Sequence, residues 1–164
     1  MVLLSVASTT FLVLHIASAI YFTVGAVLAV IFTLQIPNTP TLAAKARVMR
    51  QSSRVALLMI VPGTVIAGIT GVLLAVSEDG ATTLHHGWIV ASIVLFAAAF
   101  IVGGASGPTS AKLRRQVEAE ARSGKRPSAT LIQGLRSPVP FIVTGINLAI
   151  TVALIVLMFA KPGS

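Results

Sequence analysis

Residues 80–90 read GATTLHHGWIV and place His85 and His86 beside Trp88, the one tryptophan of the chain; the third histidine is His15. A neutral imidazole offers one ring nitrogen as a lone-pair donor, so histidines from two helices could ligate a haem iron. Imidazole together with the carboxylates of Glu78 and Asp79 could instead hold a metal. The same residues have an interfacial account. Histidine and tryptophan are amphipathic, and at a water–lipid boundary Trp88 would anchor a helix at a fixed depth while the histidines sit among headgroups. The interfacial account is the first expectation, with no cofactor. A haem or metal site at His15, His85 and His86 is the alternative. The chain has no cysteine, which excludes disulfides, iron–sulfur clusters and thiolate metal sites. It shows no paired-carboxylate constellation, nucleophile elbow or phosphate loop, so the expectation is that it is not an enzyme.

The elements that must position these residues follow from composition. The chain has 164 residues, 55% hydrophobic and 10% charged, with a mean hydropathy of +0.96; a soluble domain carries about 25% charged residues. Four apolar segments, at about 11–36, 55–76, 87–105 and 139–160, contain no Asp, Glu, Lys or Arg. A helix needs about 20 such residues to cross a hydrocarbon core of about 30 Å. None of the segments alternates as a barrel strand would. The predicted fold is all-α, one four-helix transmembrane bundle over residues 1–164. The first segment reads as a mature helix, because MVLLSVASTT lacks a basic leader and the apolar run exceeds a signal core.

Charge sets the predicted topology. Of the 12 Lys and Arg residues, all but Lys161 fall in two connections. The first holds Lys45, Arg47, Arg50 and Arg54, and the second holds Lys112, Arg114, Arg115, Arg122, Lys125, Arg126 and Arg136. The positive-inside rule places both connections in the cytoplasm and both termini outside. The net charge of +8 is thereby directed at anionic lipid, at Lys45, Arg47, Arg50, Lys112, Arg114 and Arg115 among others, and no nucleic acid is expected. Both connections should contain short interfacial helices. Leu42, Ala46 and Met49 recur at helical spacing, and Ser110 would cap a second helix that Gly124 ends. On that helix Glu118 can pair with Arg114 and with Arg122, each four residues away.

Counting back about 20 residues from Gln35 and Pro37 reaches His15, so all three histidines are expected near the outer surface. TTFLVLH and TTLHHGW open the two inward-running helices, a pattern of two parallel hairpins. Within the spans, Gly63, Ala67 and Gly71, Ala99, Gly103 and Gly107, and Gly25 and Ala29 are small residues four apart, suited to close helix packing. Pro62 should kink the second span and free a carbonyl. Thr144, Asn147 and Thr151 share a face, and Asn147 is expected to find its partner on another helix. No span carries an ionisable side chain apart from His15, which argues against stand-alone transport.

The ordered pieces LH at 14–15, GAVLA from Gly25, TGVLLA from Thr70, Trp88, GPTSAKLRR from Gly107 and Arg136 resemble a family of predicted bacterial four-helix integral membrane proteins of unknown function. They are also similar to a wider four-helix group that includes copper-resistance D-like proteins and the haem-dependent protoporphyrinogen oxidase of bacteria. That resemblance implies a first-helix histidine, matched by His15, as a haem-ligand candidate. The chain lacks the further polar and charged residues that such an oxidase calls for. Its alanine, valine and arginine bias resembles small membrane proteins of high-GC actinobacteria, which are similar in type to accessory components of the respiratory cytochrome supercomplex. The function expected is therefore a non-catalytic accessory subunit packing against a larger complex, best placed in the respiratory chain, in a bacterial plasma membrane.

Overall fold

The structure, a computed structural model, describes residues 2–79, 86–124 and 126–160, with side chains from residue 8 to 76 in the first of these stretches. The described chain is helical: α1 (Val2–Asn38), α2 (Leu42–Val55), a π-helical turn (Ala56–Ile60), α3 (Val61–Asp79), α4 (Gly87–Ser123), α5 (Ala129–Arg136) and α6 (Val139–Ala160). Four stretches are long and apolar enough to cross a membrane: 8–38, 42–76, 87–123 and 129–160. In hydrocarbon every peptide group must find its partner inside the chain, and a continuous helix meets that demand locally.

The ends of the shorter helices are set by side chains. The Thr41 hydroxyl accepts the Ala44 N–H at 3.2 Å and starts α2. Gly124, at φ +64°, ends α4 in a left-handed conformation. Ser128 accepts the Leu131 N–H at 3.3 Å and starts α5. Pro140 lies in the first turn of α6, where a missing N–H costs no helical bond.

Two boundaries differ from expectation. Ser110 caps nothing, because α4 is one helix of 37 residues, about 55 Å long at 1.5 Å per residue. Pro108 removes a single backbone bond, the one to the Gly104 carbonyl, and the turns beyond it are held helical by packing of Leu113 and Val117. The length of α4 exceeds a hydrocarbon core of about 30 Å, so its second half stands outside the membrane. The interfacial helix expected before the second span is likewise fused to it, since α2 runs through the π-helical turn into α3 without leaving helical geometry.

Helix α1 packs chiefly on α3 and the π-helical turn, and α4 on α6; α1 meets α6 between these pairs. At the end carrying the basic residues, α2 lies against α1 and α4, and α5 against α4. Here sits the principal core: Ala46, Met49, Val117 and Leu131, flanked by Ile36, Leu42, Leu113 and Leu135. Apart from this core, the buried residues among those described are Ser18, Gly25, Gly63, Ala67, Thr70, Ile89 and Thr151. Large apolar side chains face outward instead; Ile101 is 67% exposed. That inversion is what an apolar solvent allows, since lipid tails cover leucine and isoleucine as well as protein does.

Candidate functional site

The polar node of the spans begins with His15. Its ring lies against Gly71 of α3, where a Cβ would come within 2.9 Å of His15 Cε1. The absence of a side chain at residue 71 is what admits the imidazole. His15 Nδ1 is 2.9 Å from the Ala67 carbonyl oxygen. A carbonyl has no proton to give, so Nδ1 carries the hydrogen and donates, leaving Nε2 with the lone pair. The Thr70 hydroxyl, 3.4 Å from Nδ1, donates to the Ile66 carbonyl at 2.6 Å. The Ser18 hydroxyl donates to the carbonyl of His15 itself at 2.9 Å. Ala67, Thr70 and Ser18 are buried, so His15 is tied to α3 about two turns short of its end at Asp79.

His86 is the residue before α4, and its carbonyl accepts from the N–H groups of Ile89 and Val90. Trp88 stands half-buried in the first turn. His85 and the side chains of Glu78 and Asp79 lie outside the described residues, as do Lys125 and Lys161. Among the described residues no three His, Cys, Asp or Glu side chains converge as a metal group.

A second feature locks α1 to α3 below this node. Pro62 has no N–H, so the Leu58 carbonyl, four residues earlier, loses its helical donor. The Tyr21 hydroxyl donates to that oxygen at 3.0 Å from α1. Sequence reasoning anticipated the freed carbonyl and missed Tyr21, although it is the one tyrosine in the chain and an orphaned carbonyl in hydrocarbon calls for such a donor. The π-helical turn just before Pro62 belongs to the same local adjustment. Close approach is made possible by Gly63, whose Cβ would meet the Phe22 backbone at 3.1 Å, and by Gly25, opposite Met59 at 2.9 Å.

Small residues divide into two sets. Gly25, Gly63 and Gly71 pack as expected, whereas Gly103, Gly104 and Gly107 of α4 and Gly145 of α6 have nothing within 4 Å of where a Cβ would stand. The expected packing role of Gly103 and Gly107 is therefore not met inside this chain, because α4 turns that ridge away from α6 and α3. Asn147 also differs from expectation: its amide donates to Val143 of the same helix at 3.0 Å, and Thr151 donates to the Asn147 carbonyl at 2.8 Å. Bonding back one turn satisfies one N–H of the amide without a second helix.

At the basic end the cations have distinct employments. Lys45 Nζ donates to the carbonyls of Ile36 and Pro37, closing the C-terminus of α1, where a positive charge also meets the helix dipole. Arg114 binds Glu118 at 3.1 Å from one turn away, and Arg50 of α2 reaches the same carboxylate oxygen at 3.3 Å. The expected Glu118–Arg122 ion pair is absent, since Arg122 donates instead to the Glu118 backbone carbonyl at 3.2 Å. Burial pulls the Glu118 carboxyl upward, but hydrogen bonds and charges from Arg114 and Arg50 prevail and hold it below the ordinary carboxylate range. Glu120 is also held low, by the Ser128 hydroxyl first and then by the Ser128 N–H, at 2.6 and 2.8 Å. This clamp folds the α4–α5 connection back, and it too went unread in the sequence. Arg47, Lys112 and Arg115 are exposed and enter neither ion pair.

No curated protein and no solved structure matches the chain. Over residues 9–162 it matches the model of the family described as predicted integral membrane protein (DUF2269), whose span takes in the histidine node, the Tyr21 lock and the basic end together. The chain belongs to this family of integral membrane proteins, and it folds as four membrane-spanning helices.

Proposed function

We propose that this protein is a non-catalytic accessory subunit of a larger assembly in a bacterial plasma membrane, with a respiratory-chain cytochrome supercomplex as the assembly. The reading places the basic end in the cytoplasm and the termini outside, in line with the positive-inside rule. The observation that carries it is the outer face of α6. Gly145 has open space where a Cβ would stand, Ala149 one turn on is exposed, and Ile142, Ile146 and Val152 flank them as exposed bulky side chains. A small-xxx-small notch between branched residues is the surface on which a second transmembrane helix packs closely. Purification in mild detergent followed by mass spectrometry tests the reading. Co-elution with a multi-subunit respiratory complex is the expected result, and recovery as a lone monomer would overturn it.

A second reading, a haem- or metal-binding membrane protein using His15, His85 and His86, is favoured by one observation. Donation of Nδ1–H to the Ala67 carbonyl orients the ring and leaves Nε2 as the ligating nitrogen, the arrangement that metal-bound histidines use. His15 would then be one ligand to such a group, with His86 or His85 required for a second. An absorption spectrum and metal analysis of the purified protein discriminate the two readings. A Soret band lost on His15→Ala supports haem; a spectrum without one, and no bound metal, rejects this reading.

A further inference from the structure

We infer that the face of α4 where it leaves the membrane is a binding site for one anionic glycerophospholipid, with Lys112 and Arg115 taking its phosphate. Several cations of this end are already engaged. Lys45 closes α1, Arg50 and Arg114 share Glu118, and Arg122 holds a backbone carbonyl. Lys112 and Arg115 are exposed, enter neither of these ion pairs, and line a shallow, open hollow along one face of α4 together with Gln116. Two positive charges, with no carboxylate among the residues that line the hollow and the nearby Glu118 already taken by Arg50 and Arg114, leave it complementary to an anion. A guanidinium fork, an ammonium and an amide are together the donors that a phosphodiester accepts.

The register of α4 says which anion. Lys112 continues a ridge through Pro108 to Gly104, and Arg115 continues the neighbouring ridge through Ala111 to Gly107 and Gly103, each step being one turn. Both ridges therefore run from the cationic hollow directly into the span, and at their glycines nothing lies within 4 Å. A free phosphate would use the hollow and leave this track bare. A phospholipid uses both, with its headgroup at Lys112 and Arg115 and an acyl chain along the track. Net negative charge is required, because a choline headgroup would bring its own cation to a site already carrying two.

The full-length protein, purified in dodecyl maltoside and depleted of lipid, provides the test. Native mass spectrometry and the thermal midpoint are read after addition of phosphatidylglycerol, phosphatidylcholine or inorganic phosphate. Wild type should retain one phosphatidylglycerol and be stabilised by it, with phosphatidylcholine and phosphate giving neither effect. A contribution of about 1 kcal/mol per basic residue predicts roughly thirtyfold weaker retention for Lys112→Gln/Arg115→Gln. Arg47→Gln, an exposed cation of α2 outside the hollow, should change retention less than twofold. The substituted side chains are exposed, so the variants should share the wild-type midpoint without lipid, which separates loss of binding from loss of fold. Equal retention of phosphatidylcholine, an equal response to phosphate, or undiminished binding by the double variant would each overturn the site.

Discussion

Pro62 takes one hydrogen-bond donor out of α3, and Tyr21 brings one from α1 to the oxygen left behind. Interhelical bonds in membranes contribute about 0.6 kcal/mol on average and up to about 1.7. Tyr21→Phe should therefore lower the unfolding free energy by about 0.5–1.5 kcal/mol in reversible micellar unfolding. Pro62→Ala restores an N–H at residue 62, which can bond Leu58 within the helix. In that background Tyr21→Phe should cost less than half as much. An equal cost in both backgrounds would show that the hydroxyl does not serve the orphaned carbonyl. The His15 contact has a similar local logic, since Gly71→Ala would place a methyl 2.9 Å from the imidazole. Overpacking of this kind costs about 1–3 kcal/mol, and a lowered thermal midpoint is the measurement. An unchanged midpoint would mean that the ring can withdraw from α3 freely.

The elements are joined most firmly where α2, α4 and α5 meet outside the spans, and two measurements probe that junction. Leu131 is 1% exposed, so Leu131→Ala removes buried volume that the small cluster cannot refill, at about 2–4 kcal/mol. An exposed leucine of a span, such as Leu57 at 69% exposure, should tolerate the same change nearly without cost. The ion-pair knot gives the junction a pH dependence of definite sign. Glu118 and Glu120 are held below their ordinary value of 4.5 in the folded chain, so the folded state binds fewer protons than the unfolded state. Their stabilisation is complete above that value and is lost as pH falls below it through the lowered folded values. The thermal midpoint should be level between pH 7 and 5 and fall below about 4.5, and Glu118→Gln/Glu120→Gln should flatten that acid limb. A limb as steep in the variant would place the titrating groups elsewhere.

At the scale of the whole molecule, hydropathy located all four spans because the hydrocarbon thickness imposes length and apolarity on any crossing helix. Helical spacing likewise exposed the buried face of α2, at Ala46 and Met49. What stayed hidden depends on which helices become neighbours. Neither Arg50 meeting Glu118 across 68 positions nor Tyr21 meeting Leu58 leaves a local pattern. Ser110 misled because a good capping residue marks a start only when no packing holds the helix through it. The glycines show the same limit: spacing marks Gly63 and Gly103 alike, and only the arrangement of helices makes one an internal contact and the other an outward surface. Outward glycines cost an isolated bundle helix propensity without giving it packing, so their use must be sought outside the chain. For α6 this becomes a measurement. Gly145→Leu adds a branched side chain where nothing stands within 4 Å, so the isolated protein should keep or slightly raise its thermal midpoint. If a neighbouring helix occupies the notch, the same change should reduce the protein recovered with its partner complex in mild detergent by about tenfold, the equivalent of roughly 1.4 kcal/mol. Undiminished recovery with an unchanged midpoint would show that α6 faces lipid at this position and that the partner, if α6 is not its contact, must meet another helix.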